Sequence, residues 1–498
     1  MKRGKAGPGS RSRRERHPAG SSGRSARKRP AAEIPTSIEF KPSVYNHRLA
    51  FPDGDILYFN FYTLNLISLP PKEAAEADRL LLKPTGIPGT VPPGLPTLMI
   101  EKGFLVDSRV DETDLLRKAR EQARSRPGSL ALTILPTLAC NFRCVYCYET
   151  HGSQTMGPET QAAVLRLAEE RLASKGDLSV TWFGGEPLLR LDIIERLSSG
   201  FMKICSDRDA RYSASIISNG YLLTREVAER LREIQVGRVQ VTLDGPPEIH
   251  DARRPSAGGR GTFGTILNNL KETSRVLNIN LRINVDHSNR SSVPELLDLL
   301  VREGLGSSVF PYLGQTRSYT EVCQDVAELC LTDADFSLFE LETGLEMIKR
   351  GIGGLSLPQS RNVYCMADRQ NSWVISPSGG VMKCWNDASN PDREVAHLLR
   401  PTTARMEENA RQWTRRDPFE LECRTCLLLP ICAGGCPYFF TRSNTLDCHG
   451  WKHHLDESLA FYSLIKNMER VGEIGQKFYE LVEEAKKLQL AKTDETDP

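Results

Sequence analysis

Leu130-Ala-Leu-Thr-Ile-Leu-Pro-Thr-Leu-Ala-Cys-Asn-Phe-Arg-Cys-Val-Tyr-Cys-Tyr148 is the stretch on which the reading of this chain turns. Residues 130–135 are largely apolar and predict a buried strand. Directly behind them Cys140, Cys144 and Cys147 are spaced C-x3-C-x2-C. Three thiolates so close can hold three irons of an iron–sulfur cubane and leave the fourth iron open, whereas ferredoxin cubanes take four cysteines. Zinc is the alternative. A structural zinc site wants four ligands, commonly in C-x2-C pairs, and only three cysteines are local here.

Working outward, strands and helices alternate. Further strands are predicted at 178–183, 212–217, 239–243, 281–285 and 309–313. Helices with apolar positions three and four apart are predicted at 158–173, 188–204, 224–234, 263–277, 293–302 and 334–349, and Thr224 is a good helix-starting residue. Such alternation implies a parallel sheet with right-handed crossovers. Six β-α units suit a partial (β/α)6 TIM-like barrel, with active residues at the C-terminal ends of its strands. The fold class is therefore α/β, with a small N-terminal α+β module ahead of the barrel and a cysteine-rich domain behind it. In the N-terminal module, 55–61 and 99–106 read as strands, 72–82 as a helix and 86–96 as a loop. The expected division is a basic tail at 1–35, the module at 36–125, the barrel at 126–355, the cysteine-rich domain at 356–452, and a C-terminal helix and tail at 453–498.

Composition bounds the function. The 498 residues carry a formal net charge of +2. Residues 1–32 hold eleven Lys or Arg and one Glu, so the remainder is mildly acidic. A tail so rich in Gly, Ser, Pro and Arg reads as disordered, and an acidic body makes a nucleic-acid partner unexpected. No apolar run approaches the roughly 20 residues of a membrane span, and no export signal is visible. Thirteen cysteines without an export signal read as metal ligands rather than disulfides. Cys365, Cys384, Cys423, Cys426, Cys432, Cys436 and Cys448 form a second set, while Cys205, Cys323 and Cys330 are scattered and read as small apolar residues. His449, His453 and His454 read as surface residues at a helix start. Gly259-Arg-Gly-Thr-Phe-Gly264 fits G-x-G-x-x-G but follows a loop, so it reads as a glycine-rich connection and not a dinucleotide site.

The first cysteine set, with Tyr146 in the aromatic position, resembles the radical S-adenosylmethionine (SAM) superfamily. The resemblance continues at the predicted strand ends. Trp182-Phe-Gly-Gly-Glu-Pro187 matches the GGE motif, Ser218-Asn-Gly220 the next strand end, and Val241-Thr-Leu-Asp-Gly-Pro246 and Leu281-Arg-Ile-Asn-Val-Asp286 the two after it. It implies a SAM-binding 4Fe–4S cluster on Cys140, Cys144 and Cys147. It implies SAM contacts from Tyr146, Gly184, Gly185, Glu186, Ser218 and Asn219, and reductive cleavage of SAM to a 5′-deoxyadenosyl radical. The second set resembles the SPASM domain, which carries two auxiliary 4Fe–4S clusters. Carried over, Cys423, Cys426, Cys432 and Cys448 hold one completely, and Cys365, Cys384 and Cys436 hold the other with three. Where some such proteins have an eighth cysteine this chain shows Met366, Ala367 and Asp368, which leaves one iron of the three-cysteine cluster open, to substrate or to a ligand the sequence does not show. A zinc ribbon using C-x2-C pairs is the alternative for this set.

SPASM proteins modify peptides and proteins, and the segment 241–270 is similar to peptide-modifying members. The resemblance implies a ribosomally made precursor peptide or protein as substrate, crosslinked or oxidised after hydrogen abstraction. The module at 36–115, with Gly103-Phe-Leu-Val-Asp107, would capture a leader by strand addition. Asp286, Asp244 and Asp251 are candidates for the acid/base that manages the proton. A formylglycine-generating sulfatase maturase is the enzymatic alternative, and a non-catalytic iron–sulfur carrier or peptide-binding scaffold the other. A flavodoxin- or ferredoxin-like electron donor and a reducing cytoplasm are expected.

Overall fold

The computed structural model describes residues 39–51, 54–82, 93–352 and 358–466. The basic tail, most of the loop read at 86–96 and the helix read beyond 466 lie outside the described residues.

The chain opens with β1 (Phe40–Pro42), β2 (Asn46–Ala50), β3 (Ile56–Asn60), β4 (Asn65–Leu69), α1 (Pro71–Leu82), α2 (Leu95–Glu101), β5 (Leu105–Asp107) and α3 (Glu112–Ser125). β2, β3 and β4 form an antiparallel sheet, and β1 pairs with β5. The strand read at 99–106 is corrected here. Met99 to Glu101 complete α2, and only Leu105–Asp107 is strand. Gly94 followed by Pro96 in the first turn starts that helix. The apolar Leu98-Met-Ile100 run reads equally well as either element by periodicity alone.

The barrel follows as β6 (Leu130–Ile134), α4 (Pro158–Arg171), β7 (Asp177–Trp182), α5 (Leu191–Asp207), β8 (Arg211–Ile217), α6 (Arg225–Glu233), β9 (Val236–Thr242), α7 (Pro247–Arg253), α8 (Phe263–Thr273), β10 (Asn278–Val285), α9 (Val293–Arg302), β11 (Val309–Gln315) and α10 (Asp333–Lys349). β6 to β11 lie side by side in chain order and all neighbours are parallel. Six such units make an open, partial barrel. Thr224 caps α6 by accepting from the Val227 amide, as its residue type predicts. Along β10, Ile279, Leu281 and Ile283 bury into the layer shared with the helices. The strand's period of two turns Asn280, Arg282 and Asn284 to the barrel's interior.

The cysteine-rich region contributes β12 (Ser372–Ile375), β13 (Gly380–Met382), β14 (Ala396–His397), α11 (Ala404–Gln412), α12 (Leu429–Cys432), α13 (Pro437–Ser443) and α14 (Leu455–Lys466). β12 pairs parallel with β6, and β13 and β14 continue the same sheet to nine strands. The cysteine-rich region is thus an extension of the barrel sheet at its first strand. The N-terminal module is bound in equally. Tyr45, Leu57, Phe59 and Phe61 share one core with Leu341 and Leu345 of α10, with Leu429 and Ile431, and with Phe461 and Tyr462 of α14. Cutting out residues 36–115 would therefore expose that core.

One buried ion cluster ties module to cysteine-rich region. Asp368 accepts from Arg120 of α3 at 3.1 Å and from Arg416 at 3.4 Å, and its second oxygen takes the Tyr364 amide at 2.9 Å. Asp368→Ala leaves two buried guanidiniums without their counter-ion, at a cost of about 3–5 kcal/mol. A clear fall in melting temperature is expected. Asp207→Ala, which breaks the exposed Lys203–Asp207 pair, should change stability by no more than about 0.5 kcal/mol.

Candidate active site

The loop after β6 is stitched to the segment after α7 by backbone bonds: Arg143 N to Pro255 O, Val145 N to Arg253 O, and Ala257 N to Asn141 O, at 2.7–3.0 Å. Phe142 anchors it, buried against Tyr221. Cys140, Cys144 and Cys147 are half-buried on this loop, close enough for each thiol to feel its neighbours' charge. Burial pushes Cys140 and Cys147 up to about 12 and raises Cys144. Such thiols stay neutral until a metal core takes the place of their protons.

The loop's Tyr146 enters a buried charge network. Its hydroxyl donates to Asp244 Oδ2 and accepts from Arg254 Nη1 at 2.8 Å and Asn284 Nδ2 at 3.0 Å. Asp244, at the end of β9, takes the Asn284 amide on its other oxygen. Arg253 Nη1 donates to both oxygens of Asp286 at 2.9 and 2.8 Å, and its Nε lies 3.6 Å from Asp244. Both candidate acid/base carboxylates are therefore engaged by one arginine. Asp251, the third, caps α8 through the Thr262 and Phe263 amides. It also explains the glycine-rich decoy, because a Cβ on Gly261 would sit 2.2 Å from Asp251 Oδ2.

Beside the network His250 is fully buried. Its Nδ1 accepts from the Asp244 amide, and its Nε2 faces Thr262 Oγ1, whose own proton goes to Arg254 O. These partners require the neutral ring with its proton on Nε2. Burial, then Arg254 and Arg253, hold its pKa well below 6.5.

Glu186 is the second organising carboxylate. Fully buried at the end of β7, it accepts from Leu188 N at 3.0 Å, Ser218 Oγ at 2.9 Å and Asn219 N at 2.8 Å. It thereby locks the ends of β7 and β8 together and retains one acceptor site. Burial raises its pKa against the pull of those three bonds. Asn219 Nδ2 reaches back to Asn141 Oδ1 of the cysteine loop. Gly184, at φ 116°, and Gly185 lie against the same loop. A Cβ there would meet Thr137 O at 2.5 Å and Ala139 O at 2.4 Å respectively, so only glycine permits the approach.

The second cysteine set divides in two. Cys423, Cys426, Cys432 and Cys448 line one solvent-open hollow, of about 430 Å³, walled by Leu428, Leu429 and Leu446. Cys365, Cys384 and Cys436 pack together around Ala367, Val381 and Tyr438. Ala433, Gly434 and Gly435, all at positive φ, turn the chain between Cys432 and Cys436 and send them to different groups. A Cβ on Gly435 would lie 2.0 Å from Asp447 O. Near the three-cysteine group, Met366 Sδ accepts from Thr133 and Asp368 is held by its arginines. Among the described residues no three His, Cys, Asp or Glu side chains converge as closely as a single metal ion requires. The histidine reading is corrected in part. His453 is exposed, but His454 is buried with its ring on Ala334 O, and His449 lines the four-cysteine hollow. Cys205 and Cys323 are buried and Cys330 half-buried.

Sequence reasoning missed Arg253 and Arg254, which stand in His250-Asp-Ala-Arg-Arg-Pro255 just ahead of the glycine-rich connection. Their signal is tertiary: Arg254 Nε and Arg253 Nη2 are buried with no hydrogen-bond partner among the described residues.

Two outcomes test this geometry. Gly185→Ala must push the cysteine loop away, and a displacement of about 1 Å should slow the SAM cleavage that the resemblance implies about 100-fold while the fold survives. The neutral His250 makes stability pH-dependent, since the unfolded ring binds a proton below 6.5 and the folded one resists it. Stability should be full above pH 6.5 and fall as pH drops below it. Chemical denaturation across pH 5–8 should show this slope diminished in His250→Gln.

Residues 134–300 match the model of the Radical SAM superfamily. The Fe-coproporphyrin III synthase of Methanosarcina barkeri is 30% identical over 224 residues, 43% of this chain and 54% of that protein. The match thus spans about half of that relative's length. The serine-type anaerobic sulfatase-maturating enzyme of Klebsiella aerogenes is 23% identical over 351 residues, 65% of this chain and 83% of that one. Among solved structures, native anSMEcpe with bound AdoMet and the Cp18Cys peptide superposes with a TM-score of 0.53 at 19% identity. It covers 72% of this chain and 99% of that one, a likeness of fold.

Proposed function

We propose that this chain, an enzyme whose residues 134–300 form a radical SAM domain, modifies a ribosomally made peptide or a protein by hydrogen abstraction. The observation that carries the reading is the joining of the C-x3-C-x2-C loop to the Glu186 lock, side by side at the C-terminal mouth of the barrel.

The cysteine loop fits a 4Fe–4S cluster held by Cys140, Cys144 and Cys147. When bound, cluster and SAM together supply a 5′-deoxyadenosyl radical that takes a hydrogen atom from the substrate. The chain's own residues do the rest. Gly184 and Gly185 admit SAM's methionyl end close to the backbone, and Glu186 offers its remaining lone pair to the ammonium. The unpartnered Nε of Arg254 suits the carboxylate. Tyr146, held by three hydrogen bonds, is fixed in orientation, and the surrounding buried network keeps water out.

The four-cysteine and three-cysteine groups fit two auxiliary clusters. Loss of two hydrogens from a substrate requires one electron and one proton to leave after the first hydrogen atom. Tyr148, which senses the charge of both Cys147 and Cys384, lies on the way between the first and second sets. A second reading, formylglycine formation, is favoured by the long alignment with the sulfatase-maturating enzyme.

Anaerobic reconstitution should load about twelve irons per chain, and alanine at 140, 144 and 147 together should remove about four of them and all 5′-deoxyadenosine formation. Coexpression with short reading frames beside the gene should give a peptide lighter by two hydrogens, absent with Cys144→Ala. A product that also reacts with an aldehyde reagent indicates formylglycine instead. SAM cleavage with no change in any peptide or sulfatase would refute the peptide and protein reading.

A further inference from the structure

Arg282 is a charge inside the barrel that the reading above does not use. It lies on β10, with Tyr312 of β11 beside it in register. Its Nε donates to Asn284 Oδ1 at 2.6 Å. Its guanidinium carbon stands 5.8 Å from the Tyr312 ring centre. The Tyr312 hydroxyl, which donates to Gln240 Oε1 at 2.6 Å, is its other polar neighbour. The group rests on bare backbone, because a Cβ on Gly314 would come within 2.4 Å of its guanidinium carbon. Glycine at 314 thus makes the space in which the guanidinium lies.

The other arginines of the interior have carboxylates. Arg253 holds Asp286, Arg317 holds Asp333 and Asp447, Arg442 holds Asp387, and Arg120 and Arg416 share Asp368. Arg254 leans on Asp244 through the Tyr146 hydroxyl. Among the described residues no carboxylate forms an ion pair with Arg282, and the ionisable groups that act on it most are Tyr312, Tyr319 and Tyr148. A guanidinium cannot shed its proton, and a half-buried charge without a partner is held at a cost. A planar fork with free N–H groups matches a carboxylate in two-point contact. Asn284 joins the guanidinium to Tyr146 of the cysteine loop, so an anion bound there lies beside the place where chemistry is proposed.

We infer that Arg282 is a specificity-determining residue that binds a carboxylate of the substrate within the barrel. Resting on the peptide reading, this names an acidic residue or a free C-terminus at or next to the modified position. Tyr148 and Tyr319, stacked edge to face at 5.8 Å, wall the same space.

The test uses the full-length holoenzyme loaded with iron, sulfide and SAM. One probe is a pool of N-acetylated, C-amidated pentapeptides varied at the central residue; a second has Gln at the centre and a free C-terminus. Bound peptide is read by mass spectrometry. Asp and Glu should be enriched about tenfold over Asn and Gln if a side chain supplies the anion, or the free C-terminus over the amide by as much if the chain end does. Arg282→Gln should abolish the preference, and Arg282→Lys should keep part of it. Gly314→Ala, which crowds the guanidinium without removing its charge, should weaken it, and it decides the matter if Arg282→Gln fails to hold iron. Equal binding of acid and amide, or a preference that survives in Arg282→Gln, overturns the inference. So does weaker SAM binding by Arg282→Gln without peptide, which would give the guanidinium to SAM. If no peptide binds but N-acetylglutamate does so in an Arg282-dependent way, the peptide reading fails and the anion site stands. Binding of neither overturns both.

Discussion

The active end of the barrel depends on the pairing of buried arginine with buried carboxylate around Tyr146. Arg253 and Arg254 arrive from the end of α7, Asp244 from β9, and Asp286 and Asn284 from β10, and the cysteine loop supplies the hydroxyl that joins them. Charges removed from water are tolerable only when each finds its partner in good geometry. The loop therefore has one place to sit. The same constraint explains why the candidate carboxylates are spent on structure, and why the histidine beside them stays neutral.

Glu186 repeats this logic on the other side of the cysteine loop. One carboxylate gathers three donors from two strand ends, while two glycines remove the side chains that would keep the loop away. The two locks meet through Asn141 and Asn219. Between them the three cysteines are presented on a loop held by hydrogen bonds, ion pairs and the buried ring of Phe142. A site arranged in this way is preorganised: little rearrangement is needed when a ligand arrives.

The architecture also joins parts that read as separate. β12 continues the barrel sheet from its first strand, so the three-cysteine group sits close behind the loop that carries the first set. The N-terminal module shares a core with the last described helix. An apolar face such as that of Phe59 and Phe61 declares that it will be buried, but not against what. Its partners, Leu345 and Phe461, are several hundred residues away and carry no pairing signal of their own.

Alternating strands and helices, the C-x3-C-x2-C and GGE spacings and the Thr224 cap were legible because each is a local pattern, set by periodicity or by the reach of neighbouring residues. The division of the second cysteine set was legible by resemblance, and its cause lies in three consecutive positive-φ residues before Cys436. The helical end at Met99 was not legible, because a short apolar run satisfies both periods. Nor was the burial of His454, which depends on what packs above it. By itself the sequence determined the alternation of strands and helices in the barrel, the cysteine groups and the residues at the strand ends, since these follow from local spacing. Only the tertiary structure decided that Asp244 and Asp286 serve arginines, that Arg254 stands beside the cysteines and that Arg282 has no counter-ion among the described residues. Each of those is a matter of which charges meet across strands far apart in the chain, and such meetings are made by packing.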